Sequence, residues 1–543
     1  MYSQLDEELN VIVDSKNVNP PKLEVEIIEL AEKDINELLK HFKECPKSHN
    51  NLSWALVITP YAQKFVNEIE RFKELDLQFM ISLFRGLEEA LKTQKTELSA
   101  FLWNPVFDLC TWILDNFKEI YNHELSNEWN RLCDSMVHLI DSGLQAKAPN
   151  QIPLTLRDQV WQILTYLVND PHLTPSFTTH YHGSSQGAYG ASINTVRGQA
   201  MHAVIHYIRW IRQDADGNVP MAQNFQDVPE VQQILEQHLD PQKDPSLAIR
   251  SVYGQWFPYL YDLASDWTLQ QTARIFPEEP DYQELFDSAW QGYILRDRVY
   301  SNIFSVLREK YSHVIEQLTN QNSTSHEQSE ANSALSSHLL DLFWFEVINL
   351  DEPDTLIERF FANASIHSRS EFIRDIGWRL LYGIREPHNI EINHELRQRL
   401  QKFLDWRIAK VKEPSFSDDI SDLKYFSWWF ASDKLDNQWA ISKLIEVLGL
   451  LGTVDYCGDE FLDHLEKLAI EMPKDAVQCL SLMASGDKAI ECFSSYRIEH
   501  YCSILQTALE SGDENAQKQA EVLINQLVAR NLGDYRKLLF KNN

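Results

Sequence analysis

Apolar residues recur at i, i+3, i+4 and i+7 almost from end to end of the chain, the spacing that lines one face of an α-helix. Segments near 22–44, 54–72, 74–93, 107–121 and 127–143 each carry such a stripe. Their connections are short, as helix hairpins require. Further along, Asp170-Pro171, Asp240-Pro241 and Asp244-Pro245 place an Asp before a Pro. Asp accepts from free helix N–H groups and Pro suits a first helical turn, so each pair predicts a helix start. Asp281 followed by Glu284 resembles a capping box opening a helix over 282–294. The pattern predicts an all-α fold: an extended array of antiparallel helix pairs, a degenerate α-solenoid of the HEAT or TPR kind. Two stretches, from Ser265 and from Asp436, are loosely alike and fit such repeats.

Punctuation divides the array. We read an N-terminal helical domain over 1–145 and a linker, GLQAKAPNQIP, over 143–153. A central helical domain covers 154–319, a mobile polar loop 320–333, and a C-terminal repeat-like domain 334–543. Composition agrees with helices. Glycine is scarce, 17 of 543 residues, and hydrophobic residues make up 44% of the chain, enough for a large core.

The net charge of −31 disfavours a phosphate-led partner and anionic membranes. Seven cysteines without a CxxC pair predict reduced core thiols rather than a disulfide or zinc framework. There is no secretion signal and no apolar run of about 18 residues, so a cytoplasmic protein is expected. No P-loop, dinucleotide fingerprint or nucleophile elbow occurs, and no cofactor is expected.

Three places concentrate candidate chemistry. A glycine-bearing loop over 172–192 holds Gly183, Gly187 and Gly190. The helix that follows places Ile193, Val196, Ala200, Val204, Tyr207, Ile208 and Ile211 on one face. Arg197 falls on the same side and needs a carboxylate or helix C-terminal carbonyls, as a structural clamp or a ligand contact. His202 and His206 fall on the opposite, solvent face at i, i+4, with His180 and His182 upstream. That spacing can hold a metal, although the Glu of an HExxH is absent. Next, Arg250, Tyr253, Trp256 and Tyr259 form a segment with the composition of interface hot spots or of a large core helix. Gly254 and Pro258 predict a kink or short break there. Finally, adjacent Trp428 and Trp429 point about 100° apart on a helix, so one can be core while the other lines a groove or seam.

The blocks INTVRGQAMHAVIHYIRW, DPSLAIRSVYGQWFPYLYDLASDWTLQQTARIFP and WQGYILRDRVYSNIFSVLREKY are together similar to a helical region of large bacterial proteins. SWWFASDKLDNQWAISKLIEVL is similar to that region's C-terminal part. Those proteins often carry an N-terminal STAND-type ATPase or another effector module, and several are linked to antiphage defence. The resemblance spans about 155–450 and rests on many helix residues, not on a catalytic motif. It implies a non-catalytic sensor or scaffold that binds protein, with an ATPase or effector subunit of the same system as partner. The chain lacks the nucleotide-binding module, so the resemblance implies a stand-alone adaptor or the C-terminal part of a longer protein. Two alternatives stand beside it. One is a metal-dependent enzyme built on His180, His182, His202 and His206. The other is an acidic subunit of a nucleic-acid-processing complex, using Arg209 and Arg212 or Arg397, Arg399 and Lys402.

Overall fold

Helical periodicity is realised across the described residues, but the stripe over 54–72 breaks into 3₁₀ turns at Thr59–Tyr61 and Ile69–Glu74 around the short helix Ala62–Asn67. The computed structural model describes residues 22–44, 57–93, 101–117, 126–169, 187–213, 224–318, 326–383 and 392–540, apart from a few residues near or within those spans. Every regular element among the described residues is helical, and no strand occurs among them. The chain divides into two compact units, Met1–Tyr293 and Ile294–Asn543. No helix among the described residues is long and apolar enough to cross a membrane.

In the first unit the elements that matter here are α1 (Ser126–Gln145), α2 (Arg157–Val168), α3 (Gly187–Asn194), α4 (Val196–Arg212), α5 (Pro229–Leu239), α6 (Leu247–Leu263) and α7 (Gln283–Ile294). Only the end of the predicted glycine loop, 187–192, therefore belongs to the helix α3, while 170–186 lies outside the described residues. Thr195 separates α3 from α4. Its hydroxyl accepts from the Gly198 N–H at 3.3 Å and caps α4. Asp281 sits in a short 3₁₀ turn ahead of α7.

The helix α4 lies against α1, α2 and α6. Its predicted stripe is buried at Val196, Ala200, Val204, Tyr207 and Ile208, but so are Met201, His202, Ala203, Ile205 and Trp210. Three helices pack around α4 and leave Arg209 exposed but His202 buried, which overturns the placement of His202 on a solvent face. Nor is 143–153 a free linker. Trp103 Nε1 donates to the Asn150 carbonyl at 2.9 Å, the Ile152 N–H to the Gly143 carbonyl at 3.1 Å, and Trp210 Nε1 to the Ile152 carbonyl at 2.8 Å. Leu247–Leu263 is one helix with Pro258 inside it, so the predicted short break does not occur.

In the second unit, α8 (His326–Trp344) lies against α9 (Ile366–Tyr382), and α9 against α10 (Phe426–Ala431). Next, α10 packs on α11 (Glu460–Glu471), and α11 on α12 (Ile498–Glu510). Phe343, Phe361, Phe372 and Phe403 form a ring cluster in its core. The predicted loop 320–333 needs correction. From His326 onward it is the start of α8, and 320–325 lies outside the described residues. Its Glu, Gln, Ser and Ala are compatible with a helix, and the buried Leu335, Leu339 and Leu340 that follow anchor it.

Candidate functional site

The polar residues around α4 and α6 converge, but on each other. Arg197 Nε donates to the carbonyl of Val168, the last residue of α2, at 2.8 Å, and its Nη2 pairs with Asp244 Oδ2. The same oxygen accepts from His238 Nδ1 at 2.6 Å. Asp244 does not cap α6 as its place before Pro245 predicts. Its Oδ1 accepts from the Ser246 N–H at 3.0 Å, and the Ser246 hydroxyl takes the cap by accepting from the Ile249 N–H at 3.3 Å. Burial pushes the Asp244 carboxyl up, but His238 and Arg197 outweigh it and hold the group below the usual carboxylate range. Arg197 thus has both kinds of partner that its position demands.

Arg250 is 1% exposed. Its guanidinium donates to the Arg274 carbonyl at 2.5 Å and the Leu239 carbonyl at 3.0 Å, while the Tyr253 hydroxyl donates to the Leu235 carbonyl at 2.6 Å. Arg250 satisfies carbonyls in the last turns of two helices, and Tyr253 reaches a carbonyl one turn further back in α5. Burial lowers the Arg250 pKa and raises that of Tyr253. These two candidate partner contacts are interior residues, because a long polar side chain reaching between helices finds its acceptors inside. Tyr259 is half-buried, and burial pushes its hydroxyl up to about 12.

The histidine cluster is also taken up internally. Trp256 Nε1 donates to His202 Nδ1 at 2.6 Å, which occupies the lone pair a metal would need. His202 Nε2 is buried with no hydrogen-bond partner among the described residues. His206 Nδ1 donates to Asp141 Oδ1 at 2.5 Å, and its ring stands edge-on to Trp256 at 5.0 Å. His180 and His182 lie outside the described residues. Burial, with His206 adding and Asp141 opposing, pushes His202 down to about 4. Its unfolded value is about 6.5, so the folded form is the neutral one. The stability this provides is complete above about pH 6.5 and is lost as the pH falls toward 4. About 2 kcal/mol should disappear between about pH 7 and pH 5. In His202→Gln this share of the pH dependence is expected to vanish. Urea midpoints of both proteins at the two pH values measure it, and equal pH dependence refutes the assignment.

Among the described residues, a metal-like spacing occurs elsewhere. Asp463 and Glu466 of α11 and His500 of α12 bring potential ligand atoms within 4.8 Å of one another. The His500 Nδ1 hydrogen bond to Glu466 at 3.0 Å already accounts for that geometry.

The adjacent tryptophans divide as their helical spacing predicts. Trp429 is fully buried and donates from Nε1 to the Ile373 carbonyl at 2.7 Å. Trp428 is half-buried and donates from Nε1 to Asp455 Oδ2 at 3.0 Å. Its ring lies 6.1 Å from Trp378, which lies 4.5 Å from Tyr382. Trp378 and Tyr382 are 53% and 54% exposed. A Cβ on Gly377 would stand 2.4 Å from the Trp428 Cβ, so α9 and α10 touch closely beneath these rings. Sequence reading missed Trp378 and Tyr382. The signal was an aromatic pair at i, i+4 on the polar side of a helical stripe.

The basic stretches of the nucleic-acid alternative are largely committed. Arg212 pairs with Asp227 at 2.7 Å and donates to the Leu263 carbonyl at 3.2 Å. Arg399 pairs with Glu346 at 2.7 Å, and Lys402 pairs with Asp351. Burial pushes the Cys110 and Cys479 thiols up, as inert core thiols require.

No protein-family model and no curated protein matches this chain. Among solved structures the chain is similar to an engineered protein, at 12% identity over 92% of this chain and 98% of that one, with a TM-score of 0.26. So low a score carries no argument.

Proposed function

We propose that the protein is a non-catalytic helical scaffold or sensor that binds a protein partner through its second unit. One observation carries this reading. Apart from the Tyr259 hydroxyl and His202 Nε2, the polar side chains singled out on α4 and α6 are spent on internal bonds, whereas Trp378 and Tyr382 stand more than half exposed beside Trp428. Exposed aromatic groups held rigidly are the usual anchors of an interface. Within this unit, the succession of α8 on α9, α9 on α10 and α10 on α11 supports a stack of helix pairs of the HEAT or TPR kind. The resemblance to helical regions of STAND-type ATPase proteins supplies a setting, a bacterial antiphage system, with an ATPase or effector subunit as the bound protein.

The test uses the full chain as bait in infected and uninfected bacterial cells, beside a Trp378→Ala/Tyr382→Ala double variant. A stoichiometric partner should be retained by the wild type and weakened about tenfold or more by the variant, then confirmed with both purified proteins. A partner set that is identical for the two baits overturns the reading.

A further inference from the structure

We infer that the exposed face of α9 is a docking strip for a basic segment of a protein partner, with arginine the preferred side chain. This rests on the binding role proposed above and specifies its chemistry. Glu371, Asp375, Trp378 and Tyr382 follow one another at i, i+4, i+7 and i+11, so they share one face of the helix. The strip is about 16 Å long at 1.5 Å per residue. The opposite face, with Phe372, Ile373, Ile376 and Leu380, is buried in the core. Trp378 and Tyr382 are exposed on this face, the Asp375 side chain is partly exposed at 35%, and the Glu371 side chain is largely covered at 17%.

The aromatic end is fixed in place. Trp378 and Tyr382 touch each other, and Trp428 beside them is held by Asp455. A guanidinium can lie flat on such rings. At the acidic end, Glu371 Oε2 is buried and has no hydrogen-bond partner among the described residues. Arg374 donates from Nε and Nη2 to Asp375 Oδ1 at 3.3 Å and lies 3.6 Å from Glu371 Oε1. His367 Nε2 lies 3.5 Å from Glu371 Oε1, and Arg379 on the flank is taken up by Asp341 at 2.5 Å. Burial raises the Asp375 carboxyl, against the pull of Arg374, and an incoming cation would pull it back down. Carboxylate oxygens beside exposed aromatic faces match the fork and the plane of arginine better than the point charge of lysine. The net charge of −31 adds a long-range attraction for a basic segment and opposes nucleic acid or an anionic membrane.

Fluorescence anisotropy with the full chain tests this. The probes are a labelled peptide of alternating arginine and glycine, the same peptide with lysine or glutamate for arginine, and a single-stranded oligonucleotide. The arginine peptide should bind most tightly, with the lysine form several-fold weaker and the glutamate form and oligonucleotide not binding. Trp378→Ala and Glu371→Gln/Asp375→Asn should each weaken the arginine peptide about tenfold. Ile470→Ala, at an exposed position outside the strip, should leave it unchanged. Circular dichroism melts of each variant confirm folding. No binding by the arginine peptide, equal binding of the glutamate peptide, or indifference to the strip variants overturns the inference. If a partner captured by the full chain is lost with Trp378→Ala/Tyr382→Ala but kept with Glu371→Gln/Asp375→Asn, the binding role stands and the basic-segment inference falls.

Discussion

Replacing Asp422 with asparagine should cost the second unit about 3–5 kcal/mol, although the change is nearly isosteric. Asp422 and Arg407 form a fork-to-fork pair, Nε to Oδ2 at 2.9 Å and Nη2 to Oδ1 at 3.1 Å, with side chains 0% and 2% exposed. The guanidinium also lies against the Phe361 and Phe416 rings, 5.4 and 5.2 Å from their centroids. Arginine does not lose its proton in a protein, so removing the carboxylate leaves an uncompensated charge in the core. An apolar replacement of both partners leaves no such charge. Asp422→Leu/Arg407→Met should therefore recover more than half of the loss. Urea unfolding followed by tryptophan fluorescence reads both values. A shift under about 1 kcal/mol for Asp422→Asn, or a double variant worse than the single, would count decisively against this account.

Gly254→Ala should destabilise the first unit by about 3 kcal/mol, against the usual sign for glycine in a helix. A Cβ at Gly254 would stand 1.8 Å from the Ala289 carbonyl oxygen of α7, and one at Gly292 would stand 2.2 Å from the Ser251 carbonyl oxygen of α6. Two backbones meet here without side chains between them, so neither atom can step aside by changing rotamer. Gly449 is the control. It is exposed, lies inside the helix Asn437–Leu451, and a Cβ there would meet nothing within 4 Å. Gly449→Ala should stabilise by about 0.5–1 kcal/mol through helix propensity alone. The opposite signs appear directly as shifts in denaturation midpoint. Two shifts of the same sign would show that the close approach of α6 and α7 does not govern Gly254.

Much of the local architecture was legible because helical periodicity is a property of neighbouring residues. The stripe over 74–93 became the helix Leu77–Thr93, and that over 127–143 became α1. The division of labour between Trp428 and Trp429 followed from their angle alone. Other readings failed for definable reasons. His202 looked solvent-facing because its neighbours on the far side of α4 include Gln199 and His206, yet Trp256 of α6 covers it. Gly254 read as a kink signal, but its lack of a side chain serves an approach by α7. The stretch 326–333 read as a loop for want of an apolar stripe, although polar residues can lead a helix whose later turns are buried.

By itself the sequence determined that the chain is helical and where most helices run, because spacing, propensity and caps act over a few residues. Only the tertiary structure decided which polar groups are spent and which surface is left free. Arg197 meets Asp244 across 47 residues, and Trp428 meets Asp455 across 27. No periodicity encodes such pairs, since they exist only once separate helices pack and bring their side chains within bonding distance. The exposure of Trp378 and Tyr382 is equally a product of packing. Both stay more than half exposed after α8 and α10 pack on α9.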